Sequence, residues 1–248
     1  MNAVSQTHGE TGLTESNRRF YDGLWSGARL IEPRRFNTWP LVSELCVRAA
    51  RRLEVAPGLR PRLPLQDTVF FDLSAPALRT LRSREATVTK GVIGALPFAD
   101  ASFDLVCAFD IVEHVADDDA AFSELSRVAA PGATLLLSVP LHPRAWNAFD
   151  DFVGHCRRYE PDALVEKLAR RGFGVERSAV YGMQPKSSAL LDLGMWFLKR
   201  HPQTAMAWYN RVFMPLGLHM QKPLRWSDGM FDAQGVDEVL LVCKKQQP

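Results

Sequence analysis

The chain has 248 residues, 46% of them hydrophobic and 23% charged, with a net charge of +2. That length allows a full hydrophobic core, and the near-balanced charge excludes a strongly basic nucleic-acid binder. Cys46, Cys107, Cys156 and Cys243 lie far apart with no CxxC or CxxH spacing, which excludes a zinc module and a dense disulfide framework.

Cys107 and Cys243 fall inside apolar runs and read as buried thiols, so a reducing, cytoplasmic setting is expected. The polar start of the chain carries no signal-like apolar stretch. The longest apolar run, "SSALLDLGMWFL", is too short and too interrupted to span a bilayer, so no stable membrane insertion is expected.

In chain order, residues 1–40 read as a tail, disordered over 1–13, followed by lid helices. Thr14 is an N-cap for the amphipathic "TESNRRFYDGLW", and "TWPLVSELCVRAA" is a second helix with Pro40 in its first turn. Residues 41–182 read as the ligand-binding core of a single domain. There "RLEVA", "TVFFDL", "ATVTKGVI", "FDLVCAFD", "ATLLLSVP" and "FGVERSAVYG" are strand-like. "DDDAAFSELSRVAA", ending at Pro131-Gly132, and "PDALVEKLARRG" are helical. Residues 183–230 break the rhythm and read as a helical insertion, a candidate acceptor cover. Residues 231–248 hold "VDEVLLVCKK", a terminal strand expected to return antiparallel at the sheet edge.

Continuously apolar strands separated by helices predict an α/β fold, a doubly wound and mostly parallel sheet covered on both faces. Ligands of such sheets bind beyond the carboxyl ends of the strands. Glu54, Ala56, Pro57 and Gly58 follow the first strand, Asp72 the second, "GVIGALPF" the third and Phe109-Asp110 the fourth. Two carboxylates closing adjacent strands suit a ribose diol, because a carboxylate accepts both hydroxyl protons.

The run "GALPFADASFDLVCAFDIVEHVADDDAAFSELSRVAAPGATLLLSVP" resembles the core of the class I S-adenosylmethionine-dependent methyltransferases, type 11 group. Chains of that group read "LPF-x-D-x-SFD-x-V", then "EHV", then "E-x-x-R-V-x-x-PGG" and an apolar strand. The likeness extends over residues 50–182. It implies a Rossmann-like methyltransferase fold, S-adenosylmethionine as cofactor and a small-molecule acceptor. It also implies cofactor positions at Glu54, Ala56, Gly58, Asp72, Leu73, Val92, Ile93, Phe109 and Asp110. The group's [DE]-x-G-x-G-x-G turn falls on Glu54, Ala56, Gly58 and Arg60, so only its middle glycine is kept. Val92 stands where the group often has an Asp for the adenine amine. Pro57, Pro61 and Pro64 are expected to shorten or remove the helix that usually follows the turn.

An acceptor hydroxyl or ammonium needs a base, and His114, His155 and His142 are candidates, with no single one standing out. A structural His114 is an equal reading. In "VGHCRRYEP", Arg157, Arg158 and Tyr159, together with His142, are candidate substrate contacts. The alternative is a loop tied down by ion pairs with Asp150, Asp151 or Glu160. Phe20, Tyr21, Trp25, Phe36 and Trp39 form either a lid or ordinary core contacts. The methionines at 195, 206, 214 and 220 and the aromatics around them form either an apolar acceptor pocket or helix packing. No metal-ligand spacing is visible. The function expected is methyl transfer to a small, partly apolar acceptor. The alternatives are a catalytically inactive scaffold of the same fold and a nicotinamide-dependent oxidoreductase, which would lack its G-x-G-x-x-G run.

Overall fold

The computed structural model describes residues 21–182, 196–197 and 200–247. The expected disordered tail, the N-cap at Thr14, and Phe20 and Met195 lie outside the described residues.

One sheet carries the fold. Its strands are β1 (Arg52–Val55), β2 (Thr68–Asp72), β3 (Thr87–Lys90), β4 (Phe103–Phe109), β5 (Ala129–Pro140), β6 (Phe173–Val180), β7 (Trp226–Asp228) and β8 (Glu238–Lys245). Their order is β3-β2-β1-β4-β5-β8-β6-β7. The first five pair in parallel. β8 runs antiparallel to both β5 and β6, and β7 antiparallel to β6.

The central strands are buried along most of their length because helices cover both faces. On one face, Leu41 and Val42 of α2 (Trp39–Arg48) pack against Leu105, Cys107, Leu136 and Val242. On the other, Phe122 and Leu125 of α4 (Asp118–Val128) and Leu164 and Leu168 of α6 (Pro161–Arg170) join Leu53, Val106 and Leu135. Each such fully buried side chain contributes roughly 1.5–3 kcal/mol. Between them in sequence lie α3 (Ala75–Arg82) and α5 (Ala148–Val153), while a leading helix, α1, is described over residues 21–26. Among the described residues no helix is long and apolar enough to cross a membrane.

Three details depart from the sequence reading. The terminal strand is not at the edge: β8 is wedged between β5 and β6. Val239 to Cys243 are all buried, which suits an inner strand, and the edge is taken by β7, whose Ser227 and Asp228 are exposed. At three residues β7 is too short to show a strand period. Finally, α4 ends at Val128 and Ala129 already belongs to β5, so Pro131-Gly132 sits inside the strand. A register shift between Phe103 and Leu105 on the partner strand accommodates it.

Within the described part of the insertion between β6 and β7 runs a helical rod: α7 (Pro202–Trp208), a π-helical stretch (Tyr209–Phe213) and α8 (Met214–Met220). Its Met214 and Leu218 pack on Phe36 and Ile31. No helix follows β1; residues 56–67 form turns, as the three prolines require.

Candidate functional site

A cavity of about 450 Å³ opens beyond the carboxyl ends of β1, β2 and β4, within the range of small-molecule sites. It lies where the strand order switches direction between β1 and β4, the usual ligand crevice of such sheets. Glu54, Ala56, Asp72, Leu73, Phe109 and Asp110 line it from the strand ends, and Val92 and Ile93 from the loop after β3. Gly91 lets that loop lie on the Phe71 ring, since a Cβ there would come within 2.7 Å of it.

The two strand-end acids are tied to backbone. Both oxygens of Glu54 accept hydrogen bonds, from the Arg62 and Leu63 amides at 2.8 Å each, so the side chain clamps the proline-rich loop. Asp72 accepts from the Gly58 amide at 2.9 Å and the Ser74 amide at 2.7 Å. Burial pushes Glu54 up to about 7 and Asp72 up to about 6, against the pull of these amides. A carboxylate has about four acceptor sites, so Asp72 keeps capacity for hydroxyl donors from the cavity. Ser74 donates to Asp22 at 2.7 Å, which fastens α1 to the start of α3.

Tyr21, Leu24 and Trp25 of α1 roof the cavity. Gly58 lies directly under Trp25, with φ of +54°, and an added Cβ would sit 2.2 Å from the indole. Arg60, a departure from the turn pattern, holds this roof: its guanidinium lies 5.0 Å from the ring centroids of both Trp25 and Tyr209. Arg62 stacks 3.6 Å from the Phe36 centroid and donates to the Tyr181 hydroxyl at 3.0 Å. The sequence reading missed Arg62 and Tyr181, and nothing local in "GLRPRL" marks them, because their partners are remote in the chain. Gly58→Ala is therefore expected to lower Tm by at least about 4 °C, through left-handed strain and displacement of Trp25. Calorimetry and faster proteolysis near α1 would register it; an unchanged cleavage pattern would contradict the packing.

His114 also lines the cavity. Its Nδ1 lies 3.2 Å from the Gly154 carbonyl and its Nε2 3.1 Å from the Tyr21 hydroxyl. The carbonyl can only accept, which puts the proton on Nδ1 and makes Tyr21 the donor to Nε2. Burial, reinforced by His155, pushes His114 down to about 3, so the ring is neutral. His155 stands behind it, with ring centroids 4.6 Å apart, and does not line the cavity. Its Nδ1 is 2.7 Å from Asp150 Oδ1. Glu113 is fully buried beside them, its two oxygens lacking hydrogen-bond partners and its pKa raised by burial. Glu113, His114 and His155 each bring a metal-ligating atom within 4.8 Å of the others, a clustering invisible in their spacing along the chain. Asp110, at φ +49°, accepts from the Ser138 hydroxyl at 2.6 Å.

His142, Arg157, Arg158 and Tyr159 are not brought to this cavity. His142 Nε2 meets the Ala233 carbonyl at 2.8 Å. Arg157 pairs with Asp118, and Tyr159 donates to the same carboxylate at 2.9 Å. Arg158 Nε donates to Asp150 at 2.9 Å, both side chains being at most 1% exposed. The ion pair with Asp150 is the tie anticipated as the alternative; Asp118 was not anticipated.

Residues 54–137 match the family model described as a methyltransferase domain. A probable S-adenosylmethionine-dependent methyltransferase of Mycolicibacterium smegmatis is 32% identical over 110 residues, 43% of this chain and 42% of that protein. A demethylmenaquinone methyltransferase of Roseiflexus sp. is 39% identical over 82 residues, 30% of this chain and 34% of that protein. The chain thus spans less than half the length of these curated relatives. A solved structure from Thermotoga maritima, described as a possible histamine N-methyltransferase, superposes with a TM-score of 0.55 at 16% identity, covering 84% of this chain and 93% of that one, which shows the shared fold.

Proposed function

We propose that the chain is a class I S-adenosylmethionine-dependent methyltransferase of the type 11 group, whose methyltransferase-domain model residues 54–137 match, and that it transfers a methyl group from S-adenosylmethionine to a small, partly apolar acceptor. The observation that carries this reading is the cavity at the switch between β1 and β4 with Asp72 in its wall. Asp72 would accept the ribose hydroxyls, Ile93 and Leu73 would face the adenine, and Phe109-Asp110 the methionine end. Glu54 acts on the same site through the loop it clamps.

The cofactor supplies an already activated methyl group on a sulfonium. The protein's work is then alignment and exclusion of water. Tyr21, Leu24 and Trp25, held down by Arg60 and by Asp22 on Ser74, close the cavity from above. His114 is a poor proton sink with its pKa near 3. It receives the Tyr21 hydroxyl and orients it over the cavity, while His155 and Asp150 brace the His114 ring from behind.

Calorimetry with S-adenosylhomocysteine tests the reading. Hydroxyl donors favour the ionised carboxylate, so ligand binding lowers the pKa of Asp72 from about 6 and releases a proton. Affinity should rise with pH up to about 6 and level off above it, with heats that differ between buffers of different ionisation enthalpy. No binding at millimolar ligand would overturn the function. Binding that ignores pH would remove Asp72 from the ribose.

A further inference from the structure

The rod between β6 and β7 has two apolar faces. One packs on the domain through Met214 and Leu218. The other is bare: Trp208 is 51% exposed, Val212 41%, Phe213 55%, Leu216 52% and Met220 68%. Trp208, Val212, Leu216 and Met220 recur at every fourth residue, so they form one stripe along the helix. Trp196, at the described start of the insertion, is 59% exposed. A helix that shows water an apolar stripe of this length has a partner for it.

Charge identifies the partner. From residue 193 to 227 the chain carries Lys199, Arg200, Arg211, Lys222 and Arg225 and not one Asp or Glu. Arg200, Arg211, Lys222 and Arg225 are exposed. The rest of the chain is close to neutral or acidic, since the whole protein holds 30 basic and 28 acidic residues. An apolar stripe that exposes Trp208, with Phe213 beside it, and is flanked in sequence only by cations fits an anionic lipid surface, where rings enter the headgroup layer and cations meet the phosphates.

We propose that this rod docks the protein on anionic lipid bilayers. The rod is too short to cross one and instead lies in the interface. It also reaches the cavity: Tyr209 stacks under Arg60, and Asn210 Nδ2 donates to the Leu24 carbonyl at 3.3 Å, both partners lining the cavity. A docked rod therefore lies between the lipid and the cavity's roof and holds that roof about one helix diameter (~10 Å) from the bilayer. If the methyl-transfer reading holds, this makes the acceptor a lipid-borne amphiphile, and that consequence alone rests on the reading.

Co-sedimentation with vesicles tests docking without any cofactor. The full chain should pellet with phosphatidylcholine vesicles containing phosphatidylglycerol and remain in solution with phosphatidylcholine alone. Removing two cations in Arg211→Gln/Lys222→Gln should weaken binding roughly 25-fold, and Trp208→Ser/Phe213→Ser should weaken it without altering S-adenosylhomocysteine affinity. Binding that ignores lipid charge, or no binding at all, overturns the proposal. So does a dimer in sedimentation equilibrium that the Trp208→Ser/Phe213→Ser variant abolishes, since the stripe is then a contact between copies. Failure of the methyl-transfer reading shows separately, as absent S-adenosylhomocysteine binding in a protein that still pellets with vesicles.

Discussion

Arg158→Ala is expected to cost about 3–5 kcal/mol of stability, the penalty for breaking a buried ion pair from one side. The guanidinium and the Asp150 carboxylate are at most 1% exposed, so water cannot replace the lost partner. Asp150 is also the hub of its segment. One oxygen accepts from Arg158 and meets His155 Nδ1, and the other accepts from the Asn147 amide that starts α5. Burial pushes Asp150 up, but these partners outweigh it and hold the acid at about 2. Without Arg158 the segment loses its anchor, and His155 no longer stands fixed behind His114. Chemical denaturation measures the loss; a variant within about 1 kcal/mol of the parent would show the pair to be dispensable. Because Arg158 also donates to the Leu141 carbonyl, Arg158→Lys should recover only part of the deficit.

Glu54→Gln is expected to cost about 2–4 kcal/mol, because one of two buried amides loses its acceptor and meets an NH₂ group instead. The effect has a pH signature. Burial raises the folded pKa of Glu54 from 4.5 to about 7, so the fold prefers the protonated acid. That contribution is whole below about pH 4.5 and is lost as pH rises through about 7. The glutamine cannot ionise and escapes this loss. The stability gap between parent and variant should therefore narrow from pH 5 to pH 8 on the scale set by those two pKa values. Thermal unfolding at several pH values decides it; a widening gap would mean that Glu54 is ionised throughout.

The sheet was legible where burial on both faces writes itself into composition. "FDLVCAF", "ATLLLSVP" and "VLLVC" have no solvent face to disguise them. The position of β8 was not legible, because a strand's neighbours depend on pairing between residues a hundred positions apart, such as Leu135 with Cys243. At the site, Glu54 and Asp72 stood out by ending adjacent strands. What they grip could not be read, since the Arg62, Leu63, Gly58 and Ser74 amides are backbone and leave no mark in the side-chain pattern. Arg60 read as a defect because the rings it joins, Trp25 and Tyr209, lie far away in the chain. The "HCRRY" run drew attention through its charges, and those charges turned out to neutralise Asp118 and Asp150.

The inward seat of β8 bears on how the protein is made. Until Glu238–Lys245 leaves the ribosome, β5 and β6 each present a bare row of amides and carbonyls flanking an unfilled slot. Nascent chains at that stage are open to invasion by any extended peptide, and chaperone capture at this point would protect them. Closure is a late, zipper-like event that joins distant stretches of polypeptide at once, so refolding should be governed by that insertion.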